Sequence, residues 1–179
     1  YAPLARKEDS EALPWDKRNE ERFMVGAHAR TQAGLLPNRV VQSSKSWLCH
    51  PRVDREGAIL PWGLDGLDPK ISPLDASTAV LQHMREAWDN QMARTDTSLS
   101  LARQDVVVTI PASFDEVART LTLKAAKAAG LERVTLVEEP QAAFYWWIES
   151  HRERWDEALP EGGTVLVCDI AVSYTHLRA

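Results

Sequence analysis

Apolar residues form three short runs in the second half of the chain, separated by two stretches in which apolar residues recur at helical spacing. The runs at 106–110, 133–137 and 165–168 are rich in β-branched residues, as buried strands are. The first of these runs predicts a strand that is buried on both faces. The order strand, helix, strand, helix, strand predicts a sheet with parallel strands and right-handed crossovers.

The two predicted helices between these strands carry signals at their ends. Ser113 and Glu116 predict a capping box at the start of the first helix, and Gly130 fits its end. The predicted buried stripe of that helix consists of Val117, Leu121, Ala125 and Ala128. Pro140 fits the first position of the second helix, directly after Glu139.

A longer helix is predicted from Ser72 onward. Ser72, Pro73 and Asp75 occupy the positions that satisfy free N–H groups at a helix start. Apolar residues then recur every three or four positions and predict one buried stripe, made of Ala76, Val80, Leu81, Met84, Ala87 and Trp88.

The amino-terminal part of the chain is less regular. Residues 1–21 are polar and aperiodic, which predicts a leader or loop. A short strand at 23–25 and a helix that ends near Gly34 are predicted next, followed by a short helix that carries Lys45 and is capped by Ser43 or Ser44. Residues 51–71 are rich in Pro and Gly and predict an irregular surface insert with a small hairpin near 58–62.

Composition and charge narrow the possible function classes. The chain has 179 residues and a net charge of −5 without a basic stripe, which argues against nucleic acid as a partner. No run approaches the roughly 18 apolar residues of a membrane span, so no membrane partner is expected. Cys49 and Cys168 lack metal-ligand spacing and predict free thiols in a reducing compartment, which favours the cytoplasm.

Several residues that carry chemistry lie where predicted strands or short helices end: Lys45, Pro111 with Arg119, Glu139 and Asp169. Phosphoryl transfer requires a cation for the phosphate, carboxylates for a hydrated Mg²⁺ and a group that orients water, and this set has those types. Each residue also has a simpler explanation. Lys45 and Arg119 fit solvated surface positions, and Glu139 is favourable at any helix N-terminus. The spacing alone leaves both interpretations open.

Four motifs follow one another along the chain: "VGAHARTQAGLLPNRVVQSSKSWL", "VVVTIPASFDEVARTLTLKAAKAAGL", "EEPQAAF" and "VLVCDI". Their order is more specific than any one of them. The series resembles the ATPase domain of the seventy-kilodalton heat-shock chaperones, the DnaK-like heat shock protein 70 family. The insert and the Trp-rich helix are more similar to the large, divergent bacterial members than to the housekeeping chaperones.

The resemblance implies an α/β fold, namely an actin-like, ribonuclease H-like lobe with a mixed sheet flanked by helices. Residues 22–103 would form a peripheral helical subdomain with the insert at 51–71, and residues 104–163 a βαβα core subdomain. Residues 164–170 would form the first strand of a second lobe, with ATP bound between the lobes. The implied activity is ATP hydrolysis that controls binding and release of unfolded peptides through a separate C-terminal domain, in the stress response of a bacterial cytoplasm.

The resemblance also implies roles for individual residues. Lys45 is similar to the family's catalytic lysine, which contacts the γ-phosphate and the attacking water. Glu139 is similar to the glutamate beside the hydrated Mg²⁺, and Asp169 to the aspartate that positions the water or the metal shell. Pro111 and Arg119 resemble the proline switch and its relay arginine, which couple nucleotide state to peptide binding. ATP and Mg²⁺ are therefore the expected cofactors.

The chain departs from the family pattern at both ends. The family's first strand and its Gly-Thr-Thr loop would precede Tyr1, and "AVSYTHLRA" at 171–179 stands where the family has a Gly-rich phosphate loop. We therefore expect a fragment of the first lobe, truncated at both ends, with a non-native tail at 171–179 and no activity of its own. Thr135, Glu138 and Gln141 replace residues that meet a J-domain co-chaperone, which should weaken attraction to that partner.

Two other functions stay open. An actin-like scaffold or pseudo-ATPase would use the nucleotide only to set an assembly state. A sugar or acid kinase of the same fold superfamily would share the phosphate loops, but not the pairing of "IPASF" and "EEPQAAF" with a lysine such as Lys45.

Overall fold

The computed structural model describes residues 2–3, 13–15, 23–35, 40–62 and 70–168, and its helices and strands make this an α/β chain. Asp169 and the predicted tail at 171–179 lie outside the described residues. No helix in the described ranges combines the length and the apolar composition that crossing a bilayer would take.

Two parallel strands form the centre of the fold. Strand β3 (Val106–Ile110) pairs with β4 (Val134–Glu138), in a register that runs from Val106 opposite Val134 to Ile110 opposite Glu138. Helix α4 (Glu116–Ala128) connects them. The predicted strand, helix and parallel strand are therefore confirmed. The chain also contains an antiparallel pair, β1 (Ala2–Pro3) with β2 (Phe23–Met24), so two residues of the predicted leader lie in a strand.

The prediction of a third parallel strand at 165–168 was wrong. These residues form no strand, and Leu166 is 91% exposed. A strand needs a neighbour to satisfy its backbone N–H and C=O groups, and no neighbour pairs with this segment among the described residues. The described strands form two separate two-stranded sheets, so the predicted mixed sheet is not formed among the described residues.

Strand β3 is buried on one face only, contrary to prediction. Ile110 is fully buried, whereas Val107 is 60% exposed. Helix α4 covers the face that carries Ile110 and Leu136, through Ala118 and Leu121. A hydrophobic run can predict burial on both faces, but a second layer must be present to provide it.

Helix α4 begins later than the predicted capping box. Its N-cap is Asp115, whose carboxylate accepts the Ala118 N–H at 2.7 Å, and not Ser113. A turn in which the Phe114 N–H donates to the Pro111 carbonyl delays the helix start. The helix therefore buries a different stripe from the predicted one: Leu121 and Ala125 are buried as predicted, with Ala118, Thr122 and Ala126, while Val117 and Ala128 are exposed.

Helix α3 (Pro73–Met92) has the predicted start. The Ser72 hydroxyl accepts the Asp75 N–H at 2.9 Å, and the Asp75 carboxylate accepts the Ser72 N–H at 3.4 Å, which completes a capping box. Its apolar stripe is only partly buried, because Met84 is 59% exposed and Trp88 is 40% exposed. Burial is greatest in the first turns, where Ala76 packs in an apolar cluster with Val41, Leu60 and Ile71.

The insert at 51–71 is not wholly a surface feature. Leu60 and Ile71 exchange two backbone hydrogen bonds of 2.9 Å in an antiparallel bridge, and both side chains are buried. They pack against Val41 and Ala76. A single bridge therefore replaces the predicted hairpin near 58–62.

The remaining elements are α1 (Ala27–Leu35), α2 (Ser44–Trp47), α5 (Glu139–Ser150), α6 (Trp155–Ala158) and two short 3₁₀ turns, Thr97–Leu99 and Leu101–Arg103.

The glycine that ends α4 provides a test of this fold. Gly130 has φ of +81°, and an added Cβ would collide with Nη1 of Arg85 unless that side chain moved. We expect Gly130→Ala to lower the free energy of unfolding by about 1–2 kcal/mol, because the left-handed backbone disfavours a side chain.

Gly34→Ala is the matched control, since Gly34 lies in α1 with open space around it. Alanine should be neutral there or stabilise the helix by up to about 1 kcal/mol. Urea unfolding of both variants measures the difference, and equal effects would contradict the assigned end of α4.

Candidate functional site

The carboxyl ends of β3 and β4 meet at one edge of the parallel pair. Ile110 lies opposite Glu138 in the register, so the next residues, Pro111 and Glu139, both follow at that edge. Glu139 begins α5, directly after the strand. Pro111 and Glu139 therefore leave the sheet at the same edge, as parallel pairing requires.

Lys45 reaches the same edge from a distant part of the sequence. Its Nζ donates to the Thr109 carbonyl at 3.0 Å and forms an ion pair with Oε1 of Glu139. The Lys45 side chain is 41% exposed and that of Glu139 is 20% exposed. An ammonium carries three donors, so the contacts to Thr109 and Glu139 leave capacity for a further acceptor.

The short helix α2 carries Lys45 to this position. Leu48, at the end of α2, is 2% exposed and packs with Ile110 and Phe114 in an apolar cluster. At the other end of α2, Ser43 adopts a left-handed backbone with φ of 55°, without capping through its side chain. Ser43 therefore occupies the N-cap position of α2, as predicted, but its hydroxyl accepts no hydrogen bond from the helix backbone.

Glu138 and Glu139 are adjacent, and each has its own cation. Nη2 of Arg119 lies 2.6 Å from Oε1 of Glu138, while Lys45 pairs with Glu139. The sequence allowed a solvated surface position for Arg119, but its side chain is only 30% exposed and turns back to the end of β4. Pro111 is buried, and its carbonyl accepts the Phe114 N–H at 3.0 Å.

Two functional candidates near this edge were not predicted. Arg55 binds Asp115 through two hydrogen bonds of 2.9 Å, and the Arg55 side chain is only 12% exposed. The bond to Arg55, with the Ala118 N–H next, lowers the pKa of the Asp115 carboxyl to about 2. These residues are 60 positions apart, so sequence spacing could not reveal the pair.

The set of possible metal ligands at this edge is small. Within the described ranges, no group of three or more His, Cys, Asp or Glu side chains is arranged to hold a metal ion. Glu139, which is expected beside the hydrated Mg²⁺, lies at this edge. Asp169, which is expected at the same metal shell, lies outside the described residues.

A separate cleft of about 500 Å³ lies between α5, α6 and residues 164–168. Its walls include Phe144, Trp147 and Leu159. Neither Lys45 nor Glu139 lines it. The charged edge, and not this cleft, combines the residue types that phosphate chemistry requires.

Comparison with known proteins gives one consistent result. Residues 17–172 match a family model described as Hsp70 protein. The chain is 31% identical over 135 residues to "Chaperone protein HscA homolog" of Pseudoalteromonas atlantica, which covers 69% of this chain and 21% of that protein. It is 31% identical over 125 residues to "Chaperone protein HscA" of Edwardsiella ictaluri, which covers 67% and 20%. The chain thus spans about a fifth of these curated relatives, and no solved structure matches it.

The depressed pKa of Asp115 predicts how stability depends on pH. A carboxyl with a lowered folded-state pKa stabilises the fold above its unfolded pKa of about 4, and this contribution disappears as the pH falls through the folded value. Asp115→Asn keeps a side chain that can cap α4 but removes the ionisation. We therefore expect the loss of stability between about pH 4 and pH 2 to become shallower in this variant.

Denaturant unfolding across that pH range measures the effect. Asp105→Asn is the control, because the Asp105 side chain is 89% exposed and pairs only loosely with Arg133 at 3.3 Å. If both variants change the pH dependence equally, the Arg55–Asp115 pair does not hold the Asp115 carboxylate as described.

Proposed function

Since the chain belongs to the Hsp70 protein family, we propose that it supplies part of the nucleotide-binding region of a chaperone that binds and hydrolyses ATP. The observation that carries this proposal is the contact between Lys45 and Glu139 at the carboxyl edge of β3 and β4. Ligands of open α/β sheets bind outside the carboxyl ends of the strands, so this edge is the expected place for a phosphate.

The residues at the edge fit a phosphate with a hydrated Mg²⁺. Lys45 offers a partly exposed ammonium with capacity for a phosphate oxygen, beside a carboxylate that is 20% exposed. Magnesium usually keeps several waters and binds through one or two carboxylates together with substrate phosphates, so a full cage of protein ligands is unnecessary. Glu139 is suited to accept hydrogen bonds from such waters.

We assign the roles as follows. Lys45 contacts the phosphoryl group to be transferred and orients the attacking water, Glu139 holds water of the metal shell, and Asp169 assists at the same shell. Mg-ATP, when bound, supplies the phosphoryl group and compensates part of its charge. When no nucleotide is bound, Glu139 also orients Lys45, because the ion pair and the bond to the Thr109 carbonyl hold the ammonium at the edge.

We further propose that the complete fold is actin-like, with ATP between two lobes. The parallel β3–α4–β4 unit, with its charged carboxyl edge, supports this architecture. The alternative, a scaffold or pseudo-ATPase, would bind the nucleotide at the same edge without turnover. By itself the 179-residue chain should be inactive, because Lys45 is 41% exposed and a nucleotide held there would stay in contact with water.

Pro111 and Arg119 are proposed to couple nucleotide state to the binding and release of unfolded peptides. The ion pair of Arg119 with Glu138 supports this role, since it joins α4 to the strand end that precedes Glu139. The same ion pair compensates the charge of Glu138, one of the residues that we expect to weaken the attraction to a J-domain co-chaperone. A bacterial cytoplasmic location is also a proposal, supported by the bacterial origin of the curated relatives.

Lys45→Ala tests the proposed chemistry in the longer protein that contains this chain. We expect loss of hydrolysis by at least about a hundredfold with nearly unchanged ATP binding, because the lysine acts on the transferring group more than on the nucleoside. Single-turnover rates and calorimetric titration with Mg-ATP measure the two quantities.

Lys124→Ala is the matched control, since Lys124 forms a comparable ion pair with Glu56 on the exposed side of α4. Hydrolysis that survives Lys45→Ala would refute the catalytic role of Lys45. A wild-type protein that binds Mg-ATP without turnover would favour the scaffold alternative.

A further inference from the structure

The position of Lys45 depends on how α2 is held against the parallel strands. The apolar contact of Leu48 with Ile110 and Phe114 attaches α2 to the core. Apolar burial is favourable but has no preferred direction, so it does not by itself fix the orientation of a helix of four residues. A directional contact is needed to aim the Lys45 side chain at Thr109 and Glu139.

Arg55 provides directional contacts at this point. Its Nε donates to the His50 carbonyl at 3.3 Å, in the turn that follows α2. Its two terminal nitrogens donate to the two carboxylate oxygens of Asp115 at 2.9 Å each. One guanidinium therefore joins the end of α2 to the N-cap of α4.

The backbone of Arg55 makes a third connection. Its carbonyl accepts the Leu74 N–H at 3.3 Å, one of the free donors in the first turn of α3. The Arg55 side chain is only 12% exposed, whereas the Asp115 side chain that accepts its two bonds is 52% exposed. Arg55 thus lies where the turn after α2, the start of α3 and the start of α4 meet.

We propose that Arg55 is a positioning residue for Lys45. It fixes α2 relative to the turn between β3 and α4, so that the Lys45 ammonium meets the carboxyl edge in one orientation. The planar guanidinium makes two parallel bonds to a carboxylate and a further bond to a carbonyl, which a lysine ammonium at the same place cannot reproduce. The consequence for hydrolysis rests on the proposed function, but the positioning itself does not.

The variant Arg55→Lys separates geometry from charge. It keeps a cation beside Asp115 but removes the bidentate contact and the bond to His50. Glu56→Gln is the matched control, because Glu56 is the next residue and forms the other ion pair between the insert and α4, with Lys124, where both side chains are more than half exposed.

Native-state hydrogen exchange on this chain gives the first readout. In Arg55→Lys, we expect the Trp47 and Leu48 amides of α2 to exchange about ten times faster, while amides in the interior of α4 keep the rates of the Glu56→Gln control. Unchanged exchange in α2 would overturn the proposal. Equal acceleration in α2 and α4 would also overturn it, because it would indicate general destabilisation.

Steady-state kinetics of the longer protein gives the second readout. Arg55→Lys should lower kcat by about tenfold or more with KM unchanged, because a displaced Lys45 harms the reacting geometry and not nucleotide affinity. If Lys45→Ala has no effect on hydrolysis, the proposed function fails, and the exchange experiment still decides whether Arg55 positions α2. A raised KM with unchanged kcat in Arg55→Lys would contradict positioning of the catalytic lysine.

Discussion

Parallel pairing of β3 with β4 is the constraint on which the rest of the charged edge depends. The register sets Ile110 opposite Glu138, and the chain leaves both strands in the same direction. A shift of one residue would turn the side chains of β4 to the other face of the sheet and move the start of α5, with Glu139, away from Lys45. Because α4 must cross over between parallel strands, its start lies beside the edge, where Asp115 can be reached from the insert.

Two kinds of interaction then complete the edge. Apolar burial of Leu48 brings α2 to the end of β3, and charged hydrogen bonds from Lys45 and Arg55 give it a direction. The insert takes part in both, since Leu60 joins an apolar cluster and Arg55 joins the polar contacts. An irregular segment can therefore support a functional edge when a few of its residues are firmly attached.

The sequence predicted those features that depend on local signals. The β3–α4–β4 unit, the capping box of Ser72 and the position of Pro111 and Glu139 at strand ends follow from periodicity, capping residues and parallel pairing. Predictions failed where an outcome depends on distant partners. The segment at 165–168 has strand composition without a neighbouring strand.

Long-range contacts explain the other differences. The turn at Phe114 places the N-cap of α4 at Asp115 and not at Ser113, and the Arg119 side chain folds back to Glu138.

A crystal structure of the longer protein with Mg-ADP and a phosphate analogue tests the central claim most directly. We predict Lys45 Nζ within hydrogen-bonding distance of the analogue or its attacking water, and Glu139 facing the metal-bound waters. Phosphates bound elsewhere, for example near the cleft between α5 and α6, would contradict the account.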